Sequence, residues 1–163
     1  MITIGVYDKH IVMREALVAL LQQNNEFKPM TLDMDPIIVV DKIKQEGINI
    51  ILFNIHDLDN MSFTLIKQIT QRFERVRVLV VSHSDSETII VKSIKSGAKG
   101  FLAGDAERNE LFEAIYTLRN GYDFYSKSIA HLLLGKYING MLTEKSAQTP
   151  GVEALSSRQI EIL

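Results

Sequence analysis

Residues 43–59 read IKQEGINIILFNIHDLD, and the way this stretch divides decides the fold. Gly47 is a natural stop for a helix arriving from its N-terminal side. Residues 48–53 form a short apolar run that reads as a strand. The run ends abruptly at Asn54, and two carboxylates, Asp57 and Asp59, follow within five residues. An apolar strand that delivers a polar side chain at its end is a common way to place a reacting group, and here that group is an amide.

The same alternation extends in both directions. Upstream, Asp35-Pro36 supplies a capping residue and a proline at the first helical position, and this helix runs to Gly47. Residues 27–32 read as a strand. Before them Val12, Ala16, Leu17, Leu20 and Leu21 trace the apolar face of a helix that follows a strand at residues 2–7. Downstream, Phe63, Ile66, Ile69 and Phe73 recur at helical spacing, and residues 76–81 form a β-branched strand. Ser84 and Glu87 are spaced as a capping box ahead of Ile90, Val91 and Ile94, with Gly97 as the stop. A very short strand at residues 100–103 precedes a helix marked by Leu111, Ile115 and Leu118, closed by Asn120-Gly121. Five β-α units in succession predict an α/β domain, a doubly wound five-stranded parallel sheet covered on both faces. Right-handed crossovers put every strand's carboxyl end on one edge, where open α/β sheets place their ligands.

Past Gly121 the pattern changes. Ile129, Leu132, Leu133 and Tyr137 predict a short amphipathic linker helix, and residues 140–151 a polar linker ending in Thr-Pro-Gly. The last nine residues, LSSRQIEIL, begin a new helix. Ser156 and Gln159 have capping-box spacing, and Leu155 and Ile160 stand where a hydrophobic staple would. The expected organisation is a domain over residues 1–121, a linker over 122–154, and the truncated start of a second domain over 155–163.

Composition narrows the function classes. The chain has 163 residues, 46% apolar and 23% charged, enough for a buried core. No run approaches the roughly 18–20 apolar residues of a membrane span, and the N-terminus lacks a basic segment before an apolar one, so a cytoplasmic location is expected. The absence of cysteine excludes disulfides, thiolate metal sites and a thiol nucleophile. A net charge of −2 does not advertise nucleic-acid binding. Tyr7-Asp8-Lys9-His10 stands where a nucleotide binder would carry a glycine-rich loop, which argues against a small flavodoxin-like enzyme.

The residues at the strand ends carry a resemblance. DKHIVMREAL (residues 8–17), VVSHSDSE (80–87) and KSGAKGFLAGDA (95–106) resemble the response-regulator receiver domain of two-component signalling, in particular the NarL/LuxR-type regulators. LSSRQIEIL resembles the opening of the LuxR-type helix-turn-helix domain. The resemblance implies a flavodoxin-like (βα)5 fold and a phosphorylation pocket. In that family a carboxylate ending strand three takes a phosphoryl group. An acidic pair after strand one holds magnesium, a lysine follows strand five, and a hydroxyl residue follows strand four.

Matched position by position, this chain departs from that pattern. The phosphoacceptor position is Asn54, a neutral amide. Of the acidic pair Asp8 remains, but Lys9 takes the second place. The lysine position is Gly104, and Leu58 stands where a proline is usual. Ser82 keeps the hydroxyl switch position, and Phe101 fills the aromatic switch position without a hydroxyl. One carboxylate beside one ammonium needs no metal to balance it. Lys9 either turns into the pocket to pair with Asp8 or points to water. Asp57 and Asp59 are expected to be solvated loop carboxylates rather than surrogate acceptors. His10, His56 and His83 fall on three loops of the same edge without close ligand spacing, so they are expected to be polar loop residues. Lys92, Lys95 and Lys99 are expected to form a solvated face.

The expectation is an atypical receiver domain of a DNA-binding transcriptional regulator, controlled without aspartyl phosphorylation by a partner protein, a small ligand or expression level. It has no catalytic residue, metal or cofactor. It reaches DNA through a further C-terminal domain and forms a homodimer. The competing expectation is an adaptor module that binds proteins and not DNA.

Overall fold

The computed structural model describes residues 1–84 and 86–147, with side chains through residue 141. Its first compact unit, Met1–Ser126, is built around a parallel sheet. Strands and helices alternate as β1 (Ile2–Tyr7), α1 (Ile11–Leu21), β2 (Phe27–Thr31), α2 (Pro36–Glu46), β3 (Ile50–Asn54), α3 (Asn60–Arg72), β4 (Arg77–Ser82), α4 (Glu87–Lys95), β5 (Gly100–Ala103), α5 (Arg108–Arg119) and β6 (Phe124–Tyr125). The strand order is β2-β1-β3-β4-β5-β6, and every pairing is parallel.

The sheet therefore has six strands rather than the expected five. β6 is two residues long and pairs Gly100 with Phe124 and Phe101 with Tyr125. A two-residue strand has no periodicity to read, so nothing in the pattern marked it. It carries the compact unit past Gly121, where the sequence pattern drew its boundary.

Both faces of the sheet are buried, which is why its central strands are apolar at consecutive positions. Ile4, Val6, Ile50, Leu52, Leu79 and Leu102 pack with Leu21 of α1 and with Leu111, Ala114, Ile115 and Leu118 of α5. Their neighbours Ile51, Phe53, Val78, Val80 and Phe101 are buried on the opposite face. That face is covered by α2, α3 and α4, which bury Val39 and Ile43, Phe63, Ile66 and Ile69, and Ile89 and Ile90.

The helix boundaries follow local chemistry. Asp35 caps α2 by accepting from the Ile37 N–H at 2.9 Å, with Pro36 in the first turn, and Gly47 closes it in the left-handed conformation at φ 62°. The start of α4 falls two residues later than a cap at Ser84 would put it. The N-cap of α4 is Ser86, which makes no side-chain cap bond, and Ser84 Oγ instead accepts from the Ser86 N–H at 3.2 Å.

The second unit, Lys127–Leu163, contains α6 (Lys127–Ala147), a 21-residue helix. It is much longer than the short linker helix expected, and it runs through Gly140 into the segment read as linker. A Cβ placed at Gly135 or Gly140 would meet nothing within 4 Å, so both glycines lie along the helix without a packing role. The LSSRQIEIL segment lies outside the described residues. Among those residues no helix is long and apolar enough to cross a membrane.

Candidate functional site

Register builds the site. β1 pairs with β3 so that Ile4, Val6 and Tyr7 lie beside Ile50, Leu52 and Phe53. One step further, Asp8 lies beside Asn54 at the carboxyl edge. Each follows the alternation of its strand onto the same face, and each is preceded by an aromatic residue; the Tyr7 and Phe53 rings are 4.7 Å apart. The two polar side chains are thus carried into a region that the flanking apolar residues have already dried.

Asp8 is fully buried and is the hub of the site. Its Oδ2 accepts from Asn54 Nδ2 at 2.7 Å. Its Oδ1 accepts from the His10 backbone N–H at 2.8 Å and lies 2.9 Å from His56 Nε2 and 3.3 Å from His10 Nδ1. His56 Nε2 also reaches Oδ2 at 3.1 Å. A carboxylate only accepts, so the ring nitrogens facing it carry hydrogens. The amide orientation of Asn54 follows from the same fact, and it leaves Asn54 Oδ1 buried without a hydrogen-bond partner among the described residues.

Of the two courses expected of it, Lys9 turns outward to the surface rather than into the pocket. It bridges to Asp57 Oδ2 at 2.7 Å, tying the loop after β1 to the loop after β3 at the surface. That hydrogen bond holds the Asp57 carboxyl below the usual carboxylate range and the Lys9 ammonium above its ordinary value. Asp59 is the N-cap of α3, accepting from the Met61 N–H and the Ser62 hydroxyl, both at 3.0 Å. Between these groups lies a small surface hollow lined by Tyr7, Asn54, His56 and Ser62, large enough for a water.

The other positions singled out in the sequence lie along the same edge but outside this cluster. Ser82 is buried at the end of β4, and its Oγ accepts from the Ser84 N–H at 3.2 Å. Gly104 follows β5, and its N–H donates to the Ser82 carbonyl at 2.8 Å. A Cβ at Gly104 would overlap the His83 ring and come within 2.7 Å of His83 Cα. The imidazole of His83 thus fills the space in which a side chain at position 104 would begin. Phe101 is fully buried in the sheet, packed as a core residue. Of the three edge histidines, the fold brings His10 and His56 to Asp8 and leaves His83 against Gly104. The convergence was hidden in the sequence because it depends on the β1–β3 register, not on spacing within one segment.

Magnesium does not fit this donor set. It demands six ligands, mostly oxygen, in octahedral geometry. The buried cluster offers one carboxylate, and the other ligand atoms converging on it are imidazole nitrogens of His10 and His56, not oxygens.

A parallel sheet in this order, with a polar cluster at its carboxyl edge beside the β1–β3 switch point, is the flavodoxin-like class of α/β domain. The chain belongs to the response regulator receiver domain family, whose model matches residues 4–116. Among curated proteins it is 27% identical over 158 residues to the Fimbriae Z protein of Escherichia coli, covering 97% of this chain and 72% of that one. It is 26% identical over 136 residues to the transcriptional regulatory protein DegU of Brevibacillus brevis, covering 83% and 58%. Among solved structures it is similar to a two-component response regulator of the LuxR family from an Aurantimonas species. There the TM-score is 0.73 at 18% identity, over 83% of this chain and 97% of that one.

Proposed function

We propose that this chain is the receiver part of a transcriptional regulator whose receiver works without aspartyl phosphorylation. One observation carries the reading: Asn54, at the end of β3, donates its amide to the buried Asp8 at 2.7 Å. An amide is a poor nucleophile, and no acyl phosphate forms on it. In this reading Asn54 holds the phosphoacceptor position, and Asp8 and Lys9 the acidic-pair positions. Ser82 is at the hydroxyl switch position, Phe101 at the aromatic switch position and Gly104 at the lysine position. A lysine at 104 would have to displace His83.

The names of the relatives support a role in transcription. On that basis residues 1–126 act as the receiver, 127–154 as a linker containing α6, and 155–163 as the first residues of a helix-turn-helix domain. That domain would bind DNA as a cytoplasmic homodimer, with dimer symmetry setting the half-site spacing. A partner protein or small ligand takes the place of the phosphoryl signal.

The test is incubation of the full chain with magnesium and either acetyl phosphate or beryllofluoride. The expected result is no covalent phosphate by intact mass and no rise in melting temperature. A phosphoryl group mapped to residues 54–59 would overturn the reading.

A further inference from the structure

Asp8, His10 and His56 make a constellation that a phosphate-free receiver does not need. One ligand atom from each lies within 4.8 Å of the others. Asp8 Oδ1 stands 2.9 Å from His56 Nε2 and 3.3 Å from His10 Nδ1. Donors bound tetrahedrally to a zinc-sized ion, about 2.0–2.2 Å from it, are themselves roughly 3.3 Å apart. The carboxylate oxygen therefore stands near that separation from each imidazole nitrogen, and the two nitrogens lie within 4.8 Å of each other. We propose that they form a binding site for a divalent first-row transition ion of the zinc class, with its outer side open to water or a further ligand.

The chemistry selects against the family's usual ion. Two imidazoles and one carboxylate suit zinc and its neighbours, whereas magnesium favours oxygen alone. The carboxylate is held rigidly: Asp8 is fully buried, and the His10 N–H fixes its Oδ1 from the backbone. The imidazoles are reachable. The His10 side chain is 53% exposed and that of His56 24%, so an ion enters from solvent without opening the core. In the metal-free molecule the ring nitrogens facing Asp8 carry their hydrogens. When an ion takes that place, the nitrogen that faces Asp8 must give up its hydrogen to become a ligand.

Asn54 supplies an independent observation. Its side chain is 6% exposed, yet its Oδ1 has no partner among the described residues. That oxygen lies on the side of the amide away from Asp8, beside the hollow it lines with His56, where a water, free or carried by an ion bound at the cluster, would satisfy it.

This inference goes beyond the proposed function, which requires only that no phosphoryl group is taken. The test uses the full chain without an affinity tag, stripped with a chelator and titrated calorimetrically with zinc. Cobalt serves as a spectroscopic probe and magnesium as a control. The expected result is one zinc per chain, a raised melting temperature, and a visible ligand-field band with cobalt. His10→Gln and His56→Gln should each weaken zinc binding about tenfold or more and abolish the band, since even outer-shell losses at metal sites weaken binding about 10–100-fold. Far-UV circular dichroism establishes that the variants fold. His83→Gln and His131→Gln, which change the chain's two other histidines, should leave binding unchanged. Absence of stoichiometric zinc binding, or binding that survives in the His10→Gln/His56→Gln double variant, overturns the metal site and leaves the proposed function standing. Magnesium-dependent stabilisation with phosphate uptake would instead overturn the proposed function.

Discussion

Asn54 is held by the residue beside it as much as by its own strand. Its amide nitrogen completes the set of N–H donors around Asp8, a carboxylate with no access to water. Asn54→Asp would put a second carboxylate at that contact. Lys9 would not offset it, because its ammonium is engaged at the surface by Asp57. Two buried carboxylates in contact cannot both ionise freely, so the pair must retain a proton and its upper apparent pKa rises above the unfolded value. The sign follows. A carboxyl whose folded pKa is raised adds no penalty below its unfolded pKa, and the penalty grows as pH rises above it. Asn54→Asp is expected to lower unfolding stability by about 3 kcal/mol near neutral pH, with most of that loss recovered near pH 4. Urea unfolding at the two pH values checks this. Equal loss at both would mean that packing, not charge, sets the cost. The sequence made Asn54, Asp8 and Lys9 legible as positions, because strand ends can be counted. It could not show Lys9 turning outward, since a lysine stem reaches either way from the same backbone.

At the scale of elements, the site is where loops from different β-α units meet. The loops after β4 and β5 approach so closely that the His83 ring occupies the place of a side chain at Gly104. Gly104→Ala should therefore destabilise the domain by about 1–3 kcal/mol, the usual cost of forcing atoms into filled space. Removing the ring with His83→Ala should recover part of this loss. The recovery is only partial, because a Cβ at 104 still comes within 2.7 Å of His83 Cα. A double-mutant cycle measured by thermal unfolding separates the two contributions. Strictly additive losses would mean that the loops relax apart. The elements themselves were mostly legible, and the exceptions have local causes. Asp35-Pro36 left little choice of helix start, because the ring fixes one dihedral and the carboxylate caps the next amides. The spacing of Ser84 and Glu87 put the cap of α4 at Ser84, whereas the N-cap is Ser86. α6 outran its expected end because the Leu, Glu, Lys and Ala residues after Gly140 favour helix strongly enough to absorb one glycine.

At the scale of the molecule, the sheet does not end where the β-α pattern ends. β6 adds little length but completes the edge beside β5. The Phe124 N–H donates to the Lys99 carbonyl and the Ser126 N–H to the Phe101 carbonyl, both at 3.0 Å. Ser126 Oγ accepts from the Ala103 N–H at 3.3 Å, and Phe124 packs against the core cluster shared with α5. A fragment cut at residue 121, where sequence periodicity stops, would lose all of these, leave β5 as an open edge, and expose apolar surface on α5. A fragment cut at 126 would keep them. Each hydrogen bond contributes roughly 1 kcal/mol net, and burial of part of an aromatic side chain adds about 1–2 kcal/mol. The shorter fragment is therefore expected to be less stable by about 4–5 kcal/mol and to associate more readily through its uncovered edge. Parallel urea unfolding and sedimentation of the two fragments make the comparison. Equal stability would show that β6 decorates the sheet without supporting it, and would return the working boundary of the domain to Gly121.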